Sequence, residues 1–535
     1  MLLTIRYVFC VINAIYEIFR RILLFIYKKP PSIPPITHSI YMLSATTLAK
    51  KIRQREITSY EVVQAYVTRI KEVDPFLNAV VDNRFLDAII EAKTCDQQLK
   101  EGKFDVETLE KEKPLYGVPI TIKESCALKG VKADRDAMVV EMLRNAGAIP
   151  LCVTNTPEMC GGFDSTNLLF GRTCNPYDTR YSAGGSSGGE GALLGAGASV
   201  IGLGSDMAGS IRVPSFLNGV FGHKPTPGLI PIDGHFPYTD DEYFQKFTTF
   251  GPMTRYAEDL GLLMRVMTLK CNRDLRLDVP VDLRQIKIYY RQSLDRSLGV
   301  LPMTPEIEKC VLRAANHFAR YDVCAEKVTV FRSGVPVCIR KKFNAYVNLT
   351  LQLPIEWPVT IIEIVLAGFM NMKPPQMLID TNNLKHQKNV SVELLKALFG
   401  LSQHTKQMIF FNLLIETHFP FTDSEISHYT KQGEEIRQNL LNLLGDNGVF
   451  IYPTFRNPVL PQFILCEILS TSSCGFFNIV GFPAAHVPMG LNHEGMPIGV
   501  QVIAAPYQDR LCLAVAKELE MAFGGWVPPS VSISD

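Results

Sequence analysis

Apolar and polar positions change rhythm along this chain, and each change marks a different kind of element. Residues Leu2 to Tyr27 form the most apolar stretch, yet the longest uncharged run inside it, Tyr7 to Tyr16, falls short of the roughly 20 residues that cross a bilayer without interruption. At about 100° per residue, Arg6, Asn13, Glu17, Arg20 and Arg21 share one arc, and Leu, Ile, Val, Phe and Tyr fill the rest of the wheel. This predicts a membrane-anchor helix over residues 1–29, either lying in the interface or spanning with its polar stripe against a partner. A cleaved signal peptide fits less well, because internal Glu17, Arg20 and Arg21 break the apolar region and no small-x-small site follows. Lys28-Lys29-Pro30-Pro31 stops the helix, and residues 30–43 read as a Pro-rich linker that holds the anchor away from the rest. If the helix spans, Arg20, Arg21, Lys28 and Lys29 keep the bulk of the chain on the cytosolic side.

From Ser44 to about Leu99 the period is helical. Ser44 starts one helix and Thr58-Ser59-Tyr-Glu61 starts another with the spacing of a capping box. Between Leu115 and Gly251 the texture becomes short β-branched runs, Val118 to Ile122, Ile149 to Val153 and Val200 to Leu203, separated by Gly, Asn and Pro. These predict core strands of an α/β fold with functional loops between them, and Ala133 to Gly147 reads as a helix. Further on, Val392 to Glu416 reads as one apolar helical stretch, and Val449 to Pro453 and Gly499 to Ile503 as core strands. No repeat of 20 to 50 residues is visible.

The chain has 535 residues, enough for several domains or one large α/β unit. Its formal charge of +1 removes the broad attraction a nucleic-acid binder needs, and 47 % apolar with 20 % charged residues suits a packed globular protein. Thirteen cysteines lie scattered with no C-x-x-C pair and no Cys/His spacing for zinc, so they read as reduced thiols, and neither metal nor cofactor is expected. The sequons Asn348-Leu-Thr350 and Asn389-Val-Ser391 read as idle.

Ala183-Gly-Gly-Ser-Ser-Gly-Gly-Glu190 is the densest Gly/Ser run. A flexible linker would not be flanked by strand- and helix-like sequence or followed by a second cluster at Gly204 to Ser210. A phosphate loop would end in Gly-Lys-Ser/Thr, and Gly195-x-Gly197-x-x-Val200 lacks the third glycine of a dinucleotide fingerprint. Gly184-x-Ser186-x-Gly188 and Gly185-x-Ser187-x-Gly189 match a hydrolase nucleophile elbow formally, but an elbow follows a strand and here a turn-like loop, Asn175 to Tyr181, precedes it. A serine activated by a different base remains open: a buried lysine can take its proton through a second serine, and Lys123 ends the apolar run Val118 to Ile122 where such a lysine would sit.

Six segments, in order, resemble the signature of the amidase signature family: Gly117-Val-Pro-Ile-Thr-Ile-Lys-Glu124, Thr154-Asn-Thr-Pro-Glu158, Gly171 to Pro176, Gly184 to Glu190, Gly204-Ser-Asp-Met-Ala-Gly-Ser-Ile-Arg-Val-Pro214 and Gly222-His-Lys-Pro-Thr-Pro-Gly228. The resemblance runs from about residue 44 to Pro528, and Gly445 to Thr454 with Gly524-Gly-Trp-Val-Pro528 is similar to the fatty-acid amide hydrolase type 2 branch. It implies one large amidase-signature domain over residues 44–535, a twisted mixed central sheet covered by helices on both faces. It further implies a Lys-Ser-Ser triad with Lys123 as general base, Ser186 as bridging serine on a cis peptide and Ser210 as nucleophile. Backbone N–H groups of Met207, Ala208, Gly209 and Ser210 would form the oxyanion hole, Ser187 would support it, and Asp206 and Arg212 would bracket the loop as a structural pair.

Two departures from the pattern carry their own expectations. The segment Lys123-Glu-Ser-Cys-Ala-Leu-Lys-Gly130 runs into Val131 to Asp134 where the family has a longer Gly/Ser stretch, which would leave Lys123 more solvated and weaken it as a base. Ala208 stands where the family usually has glycine, asking a non-glycine residue to hold an unusual backbone geometry.

The resemblance and the anchor together imply a membrane-associated, cytosol-facing serine hydrolase of lipid amides, with esters as a second substrate class and a homodimer as an allowed state. Leu394, Leu395, Leu398, Phe399, Phe410 and Phe411 are candidates for a membrane-facing apolar cap, weighed against ordinary core packing. The competing readings are a small-amide amidase or amidotransferase subunit, and a catalytically impaired, membrane-tethered relative that binds lipid or acts as a scaffold.

Overall fold

The computed structural model describes residues 32–293, 302–328, 361–380, 383–418, 421–458 and 468–532. The anchor helix expected over residues 1–29 lies outside them. Among the described residues no helix is long and apolar enough to cross a membrane. Part of the Pro-rich segment is described and is docked rather than free. Ile33 and Ile36 are buried, Ile36 pairs with Val531, and Arg69 donates to the carbonyls of Pro34 and Pro35.

The centre is an eleven-stranded sheet: β1 (Val80–Asn83), β2 (Pro119–Lys123), β3 (Ile149–Thr154), β4 (Ile201–Asp206), β5 (Phe221–Lys224), β6 (Thr249–Thr254), β7 (Lys287–Tyr290), β8 (Glu326–Lys327), β9 (Gly448–Pro453), β10 (Ala484–Leu491) and β11 (Pro497–Ala504). Its spatial order is β1-β3-β2-β4-β6-β5-β10-β11-β9-β7-β8. The pairs β2–β3, β2–β4, β7–β8 and β7–β9 are parallel and the others antiparallel, so the sheet is mixed as expected. Every residue of β2, β3, β4 and β6 is buried, and this two-sided cover is why Val118 to Ile122 and Ile149 to Val153 read as continuous apolar runs rather than alternating ones.

Helices α1 (Ala45–Arg53) and α2 (Ser59–Leu77) begin where the sequence predicts. Ser44 accepts from the Thr47 N–H, and Thr58 with Glu61 closes a capping box. Two further predicted elements differ from expectation. The helix predicted over Ala133 to Gly147 is confined to α3 (Met138–Asn145), because its first residues are drawn into contacts described below. The apolar stretch from Val392 is two helices, α7 (Val390–Leu398) and α8 (Lys406–Thr417); Gly400 at φ +70° turns the chain and Thr405 caps the second helix. Between α3 and α7 lie α4 (Gly188–Gly195), α5 (Arg212–Leu217) and α6 (Ile361–Asn371), and beyond α8 lies α9 (Asp423–Leu444), which packs on α6.

Candidate active site

Parallel pairing decides where the chemistry collects. Ile122 of β2 lies opposite Leu203 of β4, so the C-terminal ends of the two strands place Lys123 beside Ser205 and Asp206. The serine-rich turn comes to the same point because α4 is pressed against the end of β3. A Cβ at Gly189 would stand 2.5 Å from the Asn155 nitrogen, so only glycine allows that approach. The structure thereby brings Lys123, Ser186, Ser187 and the 205–212 loop together from segments far apart in the chain.

Lys123 is fully buried. Its Nζ lies 2.7 Å from Ser186 Oγ, 2.9 Å from Ser205 Oγ and 3.2 Å from the Ser205 carbonyl. The peptide bond between Gly185 and Ser186 is cis. Ser186 and Ser210 line one cavity, and the Ser187 N–H donates to the Ser210 carbonyl at 3.1 Å. Ser187 Oγ donates to the Ser205 carbonyl at 3.4 Å, which ties the serine turn to the end of β4. Among the described residues no hydrogen bond joins Ser186 Oγ to Ser210 Oγ; such contacts commonly tighten only when substrate is bound.

The expectation that the shortened segment leaves Lys123 solvated is overturned. A tight turn follows Lys123, with the Cys126 N–H on the Lys123 carbonyl, and the chain then pairs with the loop around His235. Ala127 N–H donates to the Gly234 carbonyl, Phe236 N–H to the Ser125 carbonyl and Ala137 N–H to the Ala127 carbonyl. These bonds close the gap and seal the lysine; they also hold the start of the predicted helix in extended form.

The loop after β4 is held by a buried ion pair. Arg212 donates from Nε and Nη2 to Asp206 at 3.1 and 3.0 Å, and its Nη1 reaches the Cys474 carbonyl and Gln501. Burial by itself would raise the Asp206 carboxyl, but the Arg212 charge and these hydrogen bonds outweigh it and hold the group well below the usual carboxylate range. Asp206 Oδ1 also accepts from the Gly209 N–H at 2.8 Å. The N–H of Gly209, expected to serve an oxyanion, is therefore committed to Asp206. Among the described residues the N–H groups of Met207, Ala208 and Ser210 make no hydrogen bond within the protein, and all three residues line the cavity. Ala208 is not strained: the positive φ of this loop, +117°, falls on Gly209, where a Cβ would also stand 2.8 Å from Cys474.

Three groups that sequence reasoning did not assign belong to the site. Ser205 bonds Lys123 as above and lies 3.4 Å from Ser125 Oγ. His235 Nε2 lies 2.9 Å from Ser205 Oγ, its Nδ1 lies 2.8 Å from the Pro237 carbonyl, and burial pushes it down to about 4. Glu190, buried behind Lys123, accepts from Thr121 and Thr154 at 2.6 and 2.8 Å, and burial pushes it up to about 8 despite those bonds. Ser205 and Glu190 sit inside the Gly/Ser motifs and were readable as members of them; nothing in the sequence near His235 marks it.

From the serines the cavity extends for about 290 Å³ between loops and helices, walled by Phe244, Phe369, Met370, Phe410, Phe411 and Leu414. Helix α8 forms much of that wall and is tied to the motif Thr154 to Glu158: Glu158 accepts from the Thr405 N–H at 2.7 Å and lies 2.6 Å from His404 Nδ1. Behind α8, α7 buries Val390 and Ala397 and leaves Leu395 and Leu398 exposed, Leu398 at 75 %, with Phe399 and Leu401 exposed in the turn that follows. Phe410 and Phe411, grouped with them from sequence, instead line the cavity. The ten described cysteines are free thiols.

A mixed α/β sheet whose parallel strand ends hold a buried lysine against a run of serines, opening on a cavity, is the architecture of an amide-hydrolysing enzyme. The amidase family model matches residues 61–332 and 426–513, and the chain belongs to this family. It is 38 % identical over 510 residues to fatty-acid amide hydrolase 2 of Homo sapiens, covering 92 % of each chain, and 39 % identical over 521 residues to fatty-acid amide hydrolase 2-B of Danio rerio, covering 94 % of each. A solved fatty acid amide hydrolase structure superposes with a TM-score of 0.68 at 22 % identity, over 91 % of this chain and 86 % of that one, which shows the shared fold.

Proposed function

We propose that this amidase hydrolyses fatty-acid amides, and esters secondarily, through a Lys123-Ser186-Ser210 triad and an acyl-enzyme. The free amine of Lys123 takes the proton of Ser186 as Ser186 takes that of Ser210, and Ser210 Oγ attacks the carbonyl carbon. The N–H groups of Met207, Ala208 and Ser210 receive the oxyanion, with Gly209 holding the loop open through Asp206. The proton held on Lys123 returns through Ser186 to the leaving nitrogen; water, deprotonated along the same path, then releases the acid. Residues 44–535 act as one catalytic domain with the segment 32–43 docked on it, and residues 1–29 as the membrane anchor.

The observation that carries the substrate class is the apolar cavity opening from Ser186 and Ser210, walled by phenylalanine and methionine. It suits an acyl chain and offers no fixed charge to a polar amide. The exposed Leu398 and Phe399 at the C-terminal end of α7, one helix behind the cavity wall, fit a surface resting on lipid, consistent with a membrane-associated enzyme on the cytosolic side. The sealed position of Lys123 favours an active enzyme over an impaired, lipid-binding relative. Turnover of a long-chain primary amide against acetamide tests the class. A kcat/KM ratio of at least about 100 in favour of the long chain is expected, since each buried CH₂ is worth about 0.8 kcal/mol; parity would favour a small-amide amidase.

A further inference from the structure

The hydrogen bonds on the Ser205 side of Lys123 are fixed by His235. The Pro237 carbonyl can only accept, so His235 Nδ1, 2.8 Å away, carries a proton. The ring is buried and its pKa is lowered to about 4 by that burial, so near neutral pH it holds a single proton and Nε2 is an acceptor. The neighbour of Nε2 is Ser205 Oγ at 2.9 Å, which must therefore donate its one hydrogen to the histidine. With its hydrogen spent, Ser205 Oγ faces Lys123 Nζ at 2.9 Å with a lone pair, and the Ser205 carbonyl at 3.2 Å is also an acceptor. A neutral amine has two N–H groups and one lone pair. Both N–H groups are claimed by Ser205, and the lone pair is left for the third neighbour, Ser186 Oγ at 2.7 Å.

Resting on the triad reading above, we propose that His235 is a positioning residue for the general base: through Ser205 it aims the lone pair of Lys123 at Ser186. Without an acceptor at the Nε2 position, the Ser205 hydroxyl can turn to the lysine lone pair and compete with Ser186 for it. The alternative partner, Ser125 Oγ, is more distant at 3.4 Å. When Lys123 accepts the proton of Ser186, its three N–H groups meet Ser186 Oγ, Ser205 Oγ and the Ser205 carbonyl, so the outer bonds need no rearrangement during the transfer. The same loop brings His235 over Lys123 because the shortened segment pairs with it at Cys126. The residue that orients the base and the chain that seals it therefore arrive together.

The test uses His235→Phe, which keeps the ring contacts with Phe244 and Phe250 while removing the acceptor, beside His235→Leu and His235→Gln. Each variant is placed in the wild-type and Lys123→Ala backgrounds, with thermal melting measured on all. The expected result is a 10- to 100-fold fall in kcat with KM within about twofold for Phe and Leu, of the order general-base effects reach. Gln, whose Oε1 can accept from Ser205, recovers most of the loss. In the Lys123→Ala background none of the His235 changes lowers the residual rate further. A rise in KM alone, no rescue by Gln, or losses that add to that of Lys123→Ala overturns the inference. Should Phe and Leu both fail to fold, the Gln variant alone decides through its kcat: a fall beyond tenfold in folded protein contradicts the proposal. If Lys123→Ala itself retains wild-type kcat, the triad reading fails, which is a separate outcome.

Discussion

Lys123 Nζ rests 2.7 Å from Ser186 Oγ although 63 positions separate the two residues, and among the described residues no carboxylate is bonded to the lysine. The amine is instead bonded to two hydroxyls and a carbonyl. Lys123→Met, which keeps the unbranched stem, should lower kcat by roughly 10² to 10⁴ with little change in melting temperature. Ser186→Ala should fall in the same range, and the double variant should be little worse than either, since both act on one proton path. Steady-state kinetics on a long-chain amide checks this; additive losses would show that the two act separately.

The Asp206–Arg212 pair is fully buried, and removing one partner leaves the other charge uncompensated. Arg212→Met is expected to destabilise by about 3–5 kcal/mol, read as a lowered denaturation midpoint. The paired carboxylate also sets an acid limit. Because its folded value is depressed, its contribution is present above the unfolded value of about 4 and is lost as pH falls below it. Wild-type melting temperature should therefore drop steeply below about pH 4, and Asp206→Asn, already weakened at neutral pH, should show a shallower drop.

Glu190 predicts the opposite slope in a different window. Its folded value is raised to about 8, while the unfolded carboxylate ionises near 4.3. The folded state thus binds the extra proton between these values, and stability from this group is present below about pH 4 and declines as pH rises toward 8. Glu190→Gln, which stays neutral beside Thr121 and Thr154, should flatten the melting curve between pH 5 and 8. An unchanged slope would mean Glu190 is ionised in the fold.

At the C-terminal end of α7, Leu398 and its capping neighbour Phe399 are exposed at 75 % and 73 %, with Leu395 and Leu401 nearby. Leu398→Glu with Phe399→Glu should reduce sedimentation with phosphatidylcholine vesicles several-fold and leave hydrolysis of a water-soluble short-chain ester unchanged. Equal vesicle binding by both proteins would assign membrane contact elsewhere. The comparison is best made with and without residues 1–29.

Much of this was legible in the chain because it is written locally. The caps at Ser44 and Thr58, the buried strands around Lys123, Leu151 and Leu203, and the Gly/Ser motifs each declare themselves within a few residues. What was not legible depends on pairing at long range. The sealing of Lys123 rests on bonds between 126–127 and 234–236, and His235 enters the site only because that pairing exists. The occupied N–H of Gly209 is likewise a matter of where Asp206 points, and Ala208 escapes strain because the positive φ falls one residue later.

Covalent labelling of the intact protein by a serine-directed fluorophosphonate probe is the sharpest test of Ser210 as the nucleophile. Rapid labelling of the wild-type chain on the peptide containing Ser210 is expected, with loss of labelling in Ser210→Ala and labelling slowed by about 10² or more in Lys123→Met. Undiminished labelling of Ser210→Ala, or no labelling of a folded wild-type protein, would contradict it.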